Sequence, residues 1–248
     1  MIQAITIDFW NTIVDSRNGT LRRAARNRAM ADVYRIIGKP WNEDEVAAAY
    51  DHSYNTFERH WHGEQRTLSA DESLHVIWDF LGFDVPSELH VSTVARIEDS
   101  ILEGMPGLLP GCAAALGELA AKVPLALISD TAYSPGRVLR QVLEAHGVAD
   151  HFGAMIFSDE TGVSKPHPRM FERALGELGA SAKDAVHIGD IERTDIAGAK
   201  AMGMRSILFR GDESGRYHAE NQAEHTAADA VAHSWEEVIS IIGKWGLS

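Results

Sequence analysis

Residues 4–15 read AITIDFWNTIVD. The stretch from Ala4 to Ile7 is short and apolar, as a buried strand is, and Asp8 follows it at once, with Asn11 and Thr12 in the turn beyond. An aspartate so placed projects a lone carboxylate from the C-terminal edge of a strand, where open α/β sheets gather their chemistry. Held there, it is a candidate covalent nucleophile. A group able to trade protons would be expected two positions on, yet residue 10 is Trp.

Outward from this strand the chain divides by pattern. Residues 20–103 read as mostly helical, with many charged and aromatic side chains. From Pro110 onward, helices and short apolar strands alternate. Cys112–Lys122 is an Ala/Leu-rich helix, Pro124–Ser129 a buried strand, and Ser134-Pro135 opens a helix that Gly147 closes. Strands at Ala154–Ser158, Val186–Gly189 and Ser206–Phe209 are separated by helices at Pro168–Leu178 and Thr194–Met202. Ser234 and Glu237 have capping-box spacing ahead of a last apolar helix. Strands parted by single helices imply parallel crossovers, so the predicted fold is α/β: a doubly wound parallel sheet formed by residues 1–15 and 104–248, with 16–103 as an inserted helical domain.

Composition narrows the partners. Of 248 residues, 45% are hydrophobic and 24% charged, an ordinary globular balance. The net charge of −13 argues against a nucleic-acid backbone or an anionic membrane as main partner. Cys112 is the sole cysteine, so no internal disulfide is possible, and with a strand predicted near residue 2 no signal peptide is expected. A cytoplasmic protein is the expectation. Its oligomeric state is left open.

Each strand of the alternating region ends in polar residues that would meet at one sheet edge. They are Asp8; Ser129 with Asp130 and Thr131; Lys165 in the loop TGVSKPHP; and Asp190 with Asp195 in GDIERTDIAGAKAMG. One nucleophilic carboxylate, one hydroxyl, one cation and a carboxylate pair suit phosphoryl transfer, which asks a protein for positioning and for neutralising charge on the equatorial oxygens. Three crowded carboxylates call for a hard divalent cation, and Mg²⁺ is the usual one.

In the order and spacing of these four motifs the chain resembles the haloacid dehalogenase-like hydrolase superfamily, whose members are mostly Mg²⁺-dependent phosphatases with a Rossmann-like core. The resemblance implies that Asp8 is the nucleophile and that the backbone carbonyl of Trp10 is a metal ligand. It makes Ser129 the phosphoryl-binding hydroxyl and Lys165 the cation steadying Asp8 and the transferred group, with Asn11 and Asp130 beside the phosphate. Asp190 would ligate Mg²⁺ directly, and Asp195 would lie close by or act through water. The helical stretch is similar in position to the family's mobile cap. A small phosphorylated metabolite is the implied substrate, processed through an aspartyl phosphate.

Trp10 departs from that pattern. Family phosphatases usually carry a second aspartate there as acid and base, and losing such a group costs about 10²- to 10⁴-fold. The leaving group then needs no proton, as with an acyl or activated aryl phosphate, or a cap residue supplies it, or the protein binds phosphorylated ligands with weak turnover. Dehalogenases of the superfamily have an aromatic residue at this place, which keeps a 2-haloacid dehalogenase as an alternative. Asp190 and Asp195 favour phosphoryl chemistry.

The helical stretch offers further candidates. Arg22, Arg23, Arg26 and Arg28 crowd its first helix, either as a solvated face or as a cluster that draws in an anion. His60, His62 and Glu64 could ligate a transition metal or donate a proton, but Tyr54, Phe57 and Trp61 beside them read as a packing stripe. Cys112 reads as a small buried side chain.

Overall fold

The computed structural model describes residues 1–215 and 225–247. Its sheet has six strands, β1 (Ala4–Ile7), β2 (Leu125–Ser129), β3 (Phe152–Phe157), β4 (Ala185–Gly189), β5 (Arg205–Phe209) and β6 (Ala230–Ala232), ordered β3-β2-β1-β4-β5-β6. Every neighbouring pair is parallel. Ile5 sits between Leu125 on one side and Val186 on the other, and every residue of β1, β2 and β4 is buried. Such strands are covered by helices on both faces, which is why they read as unbroken apolar runs. From β1 the order runs one way to β2 and β3, and the other way to β4, β5 and β6. The reversal falls between β1 and β4, whose C-terminal ends lead directly into Asp8 and Asp190. This is the crevice in which doubly wound sheets bind ligands.

Two elements differ from the sequence reading. β6 is a three-residue strand held by its ladder to β5, too short to leave a periodic signal. The segment predicted as a helix over Thr194–Met202 opens instead with a π-type turn, Glu192–Ile196, before an α-helical turn at Ala197–Ala201. The widened turn lets the Asp195 carboxylate fold back to accept from the Ile191 amide at 3.0 Å.

The described chain groups into two compact units. The first comprises Met1–Arg17, Pro106–Asp130 and Leu143–Ser248 and holds the whole sheet; the second comprises Asn18–Met105 and Thr131–Val142. Thr131–Val142, placed with the sheet by the sequence reading, thus groups with the helical unit. In the sheet unit, Phe171, Met170, Ala174 and Leu175 from the helix Pro168–Leu178 pack on Ala126, Ile128 and Ile156. Truncating a fully buried phenylalanine such as Phe171 costs about 3–5 kcal/mol. The final helix, Trp235–Trp245, starts with Ser234 capping the Glu237 amide. The buried Trp235 indole donates to the carbonyl of Thr12 at 3.0 Å, tying this helix to the loop after Asp8.

In the helical unit, helices Gly19–Ile36, Glu43–Glu64, Ala70–Leu81 and Ser87–Glu98 enclose a core of Met30, Val33, Tyr34, Tyr50, Leu74 and Trp78. Ser69 and Glu72 form a capping box at the third of these, and Gly82 ends it at φ +64°, a conformation that favours glycine. No helix among the described residues is long and apolar enough to cross a membrane.

Candidate active site

Asp8, Lys165, Asp190 and Asp195 meet at the crevice between β1 and β4, and each is at most 6% exposed. The Lys165 ammonium donates to Oδ1 of Asp8 and, at 2.7 Å, to Oδ1 of Asp195. The Lys165 backbone amide donates to Asp130 Oδ1 at 2.9 Å, so the residue after Ser129 fixes the loop that delivers the lysine. Ser129 is fully buried, and its hydroxyl donates to the Asp130 carbonyl at 3.3 Å. Asn11, in the left-handed region at φ 56°, donates to Asp190 Oδ2 at 3.4 Å and accepts from the Ser16 hydroxyl at 2.5 Å. An asparagine tolerates that backbone better than most residues.

Asp195 is the most heavily bonded carboxylate. Its Oδ1 takes Lys165 and, at 3.0 Å, His187 Nε2, while Oδ2 takes the Ile191 amide and, at 3.4 Å, the Thr194 hydroxyl. A carboxylate offers about four lone-pair sites, and these contacts fill them. Gly189 makes this possible: a Cβ there would lie 2.3 Å from Asp195 Cγ. His187 is wholly buried and bridges Asp195 to the Thr6 hydroxyl, 2.8 Å from its Nδ1. The sequence reading did not single it out, although a lone histidine in the apolar strand AVHIG was the available signal.

Electrostatics separates the three acids. Burial pushes the Asp8 carboxyl up to about 7, with Asp195 and Asp130 adding repulsion and Lys165 opposing. Burial, then the charges of Asp8 and Asp195, raise Asp190 well above the usual carboxylate range. Burial works on Asp195 in the same direction, but Lys165 and the His187 hydrogen bond outweigh it and hold that carboxyl below the usual range. Lys165 is raised: burial disfavours its charge, and the charges of Asp195, Asp8 and Asp130 prevail. The unit therefore keeps one permanent ion pair, Lys165 with Asp195, beside two carboxylates whose charge is costly.

That cost is the test of a cation site. Ligand oxygens of Asp8, Asp190 and Asp195 all lie within 4.8 Å of one another, and all three residues are buried. Oxygen donors of this kind suit Mg²⁺, which carries ligands at about 2.0–2.1 Å and keeps several waters. With Asp195 filled by protein donors, Asp8 and Asp190 are the carboxylates with capacity left. Trp10 is half-buried and packs edge-on against Phe9, ring centroids 5.2 Å apart.

The remaining candidates lie elsewhere. His60 and His62 sit on the helix Glu43–Glu64 of the helical unit, paired with Glu64 at 2.9 Å and Glu58 at 2.8 Å as i,i+4 neighbours. Cys112 is buried, and burial raises its thiol far above the reactive range.

A family model for haloacid dehalogenase-like hydrolases matches residues 2–203. The chain belongs to that family. Among its haloacid dehalogenase-like relatives, a phosphoglycolate phosphatase of Yersinia pseudotuberculosis is 37% identical over 210 residues, 83% of this chain and 80% of the relative. The haloacid dehalogenase-like hydrolase domain-containing protein 3 of Bos taurus is 34% identical over 113 residues, 46% of this chain and 41% of the bovine protein. With the bovine protein and a ribulose-1,5-bisphosphate 5-phosphatase of Halopiger xanaduensis, the alignment spans 41% and 38% of the relative's length, well under half. In fold, the chain is similar to a 2-haloacid dehalogenase from Pseudomonas syringae, with TM-score 0.71 and 23% identity over 99% of this chain and 100% of the other. It is also similar to the CbbY protein from Rhodobacter sphaeroides in complex with phosphate, with TM-score 0.62 and 24% identity over 96% of each chain.

Proposed function

We propose that this haloacid dehalogenase-like hydrolase is a Mg²⁺-dependent phosphatase of small phosphorylated metabolites, working through an aspartyl phosphate on Asp8. The observation that carries the reading is the double contact of Lys165 with Asp8 and Asp195, beside Asp190 in one buried cluster. The kinship with phosphoglycolate and other phosphatases supports the substrate class. An Asp8 oxygen attacks phosphorus, the bond from phosphorus to the leaving oxygen breaks, and water then attacks the aspartyl phosphate to release inorganic phosphate and restore the carboxylate. Lys165 steadies the Asp8 carboxylate and the transferred group, and Asp195 holds the lysine in place. The hydroxyl of Ser129, with Asn11 and the Asp130-anchored loop, orients the phosphoryl oxygens. Asp8 and Asp190 with the Trp10 carbonyl would hold Mg²⁺, which when bound neutralises the carboxylates and the phosphoryl charge.

Trp10 has no proton to give, so substrates whose leaving group departs without one, acyl phosphates above all, fit this site better than alkyl esters. An aromatic residue at position 10 also favours a second reading, halide displacement from a 2-haloacid, against which stand the buried acids Asp190 and Asp195. The deciding assay gives the protein p-nitrophenyl phosphate, acetyl phosphate and 2-chloropropionate, each with and without Mg²⁺. Metal-dependent phosphate release that vanishes in Asp8→Asn supports the proposal. Metal-independent chloride release would establish the dehalogenase instead, and phosphate binding without turnover a binding protein.

A further inference from the structure

The helix Gly19–Ile36 carries Arg22, Arg23, Arg26 and Arg28, and the structure sorts them into two kinds. Arg22 donates to the carbonyl of Gly104 at 2.8 Å, and Arg28 pairs with Glu103. Arg23 and Arg26 lean on aromatic rings. The guanidinium carbon of Arg23 lies 5.7 Å from the Tyr50 centroid and that of Arg26 lies 5.0 Å from the Tyr133 centroid; the two rings meet edge to face at 6.2 Å. Among the described residues neither guanidinium has a carboxylate within 4.0 Å. A ring engages the face of a guanidinium and leaves its in-plane N–H donors seeking acceptors. Arg26, half-buried, finds only a long contact of 3.5 Å to the Ser100 hydroxyl. Burial, with the like charge of Arg23 adding to it, lowers its basicity against the pull of Tyr50 and Tyr133.

A second observation points the same way. Tyr50 is 6% exposed, and its hydroxyl has no hydrogen-bond partner among the described residues. Buried hydroxyls are rarely left so, because the hydrogen bond lost from water is not replaced. Two cations short of acceptors and one orphan hydroxyl share a single pair of rings.

We propose that Arg23, Arg26 and the Tyr50 hydroxyl form a binding site in the helical unit for a small oxyanion, a carboxylate or phosphate group. The group belongs either to the substrate, as a second anionic moiety, or to a free anion that modulates the protein. The site stands on the helical unit alone and does not need the phosphatase reading.

Malonate is the probe, titrated by calorimetry into the whole 248-residue chain with EDTA present, so that the uncompensated acids around Asp8 repel it. The expected result is saturable binding, weakened at least about tenfold in Arg26→Gln and in Arg23→Gln and about threefold in Tyr50→Phe, as befits hydrogen bonds to a charged group. Arg28→Gln, of equal charge change, binds as the parent does. Arg23 is exposed, so its variant keeps the fold if Arg26→Gln does not, and a thermal melt checks both. No saturable binding, or equal loss in Arg28→Gln, overturns the site. Kinetics then name the source: malonate that raises KM for 2-phosphoglycolate but not for p-nitrophenyl phosphate marks a substrate-borne anion, and malonate that changes kcat for both marks a free one. Absence of any phosphate release would sink the phosphatase reading while the calorimetry still decides the anion site.

Discussion

Trp10 stands two residues after Asp8, packed on Phe9, where an indole N–H can neither protonate a leaving oxygen near neutral pH nor take a proton from water. Trp10→Asp is expected to raise kcat for an alkyl phosphate by about 10- to 100-fold and to change acetyl phosphate turnover little, because only the first leaving group needs the proton. Parallel assays of the two substrates check this; equal changes in both would place the proton donor elsewhere. His187 is decisive in a different way. Burial holds its imidazolium form at a lower pKa than the ordinary 6.5, so the folded chain keeps it neutral while the unfolded chain protonates below 6.5. Its contribution is therefore fully present above 6.5 and is lost as the pH falls toward the native value. The stability gap between parent and His187→Gln should shrink by up to about 1.4 kcal/mol per pH unit over that window, as read by urea unfolding at about pH 7.5 and about pH 5.5. An unchanged gap would mean that folding leaves this histidine's affinity for protons where the unfolded chain has it.

At the level of elements, the loop from Gly189 to Ile196 determines the site's shape. Gly189→Ala drives a methyl group to 2.3 Å from Asp195 Cγ, in a place where neither backbone nor a flexible side-chain end can yield. The expected cost is about 1–3 kcal/mol of stability with at least a 10²-fold fall in kcat as Lys165 shifts, measured by denaturant midpoint and steady-state kinetics. How much of this was legible in the chain depended on range. β1, β2 and β4 announced themselves as apolar runs ended by polar residues, and the spacing of Asp190 and Asp195 marked them as a pair. Asp195's service to Lys165 was hidden, because it depends on a π-type turn that has no periodic signature. His187 was hidden for the opposite reason: a single polar residue inside a buried strand does not disturb the pattern that identifies the strand. The four arginines were visible as a crowd, but only packing separates the two bonded to Gly104 and Glu103 from the two that lean on tyrosine rings.

For the molecule as a whole, two buried carboxylates of raised pKa are expected to make stability depend on pH and, if they hold a cation, on that ion. Asp8 shifts from 3.8 to about 7, so its contribution is present below 3.8 and is lost as the pH climbs through 7; Asp190 shifts in the same direction. A divalent ion that binds only the folded chain offsets this loss, and at about 100 times its Kd it adds about 2.7 kcal/mol, or about 5–10 °C in Tm for a chain of this size. Calorimetric melts should show a Mg²⁺ shift that is larger at about pH 8 than at about pH 5.5; an equal shift at both would mean that the ion does not sit among these acids. The sheet order has a consequence of another kind. β1 lies between β2 and β4, and Thr6 is 180 residues from the Val186 carbonyl facing it. A ribosome adding about 5–20 residues per second must work for roughly ten to forty seconds before both edges of that strand can be paired. Throughout that interval the segment bearing Asp8 is exposed to chaperones, and to accidental pairing with other nascent chains.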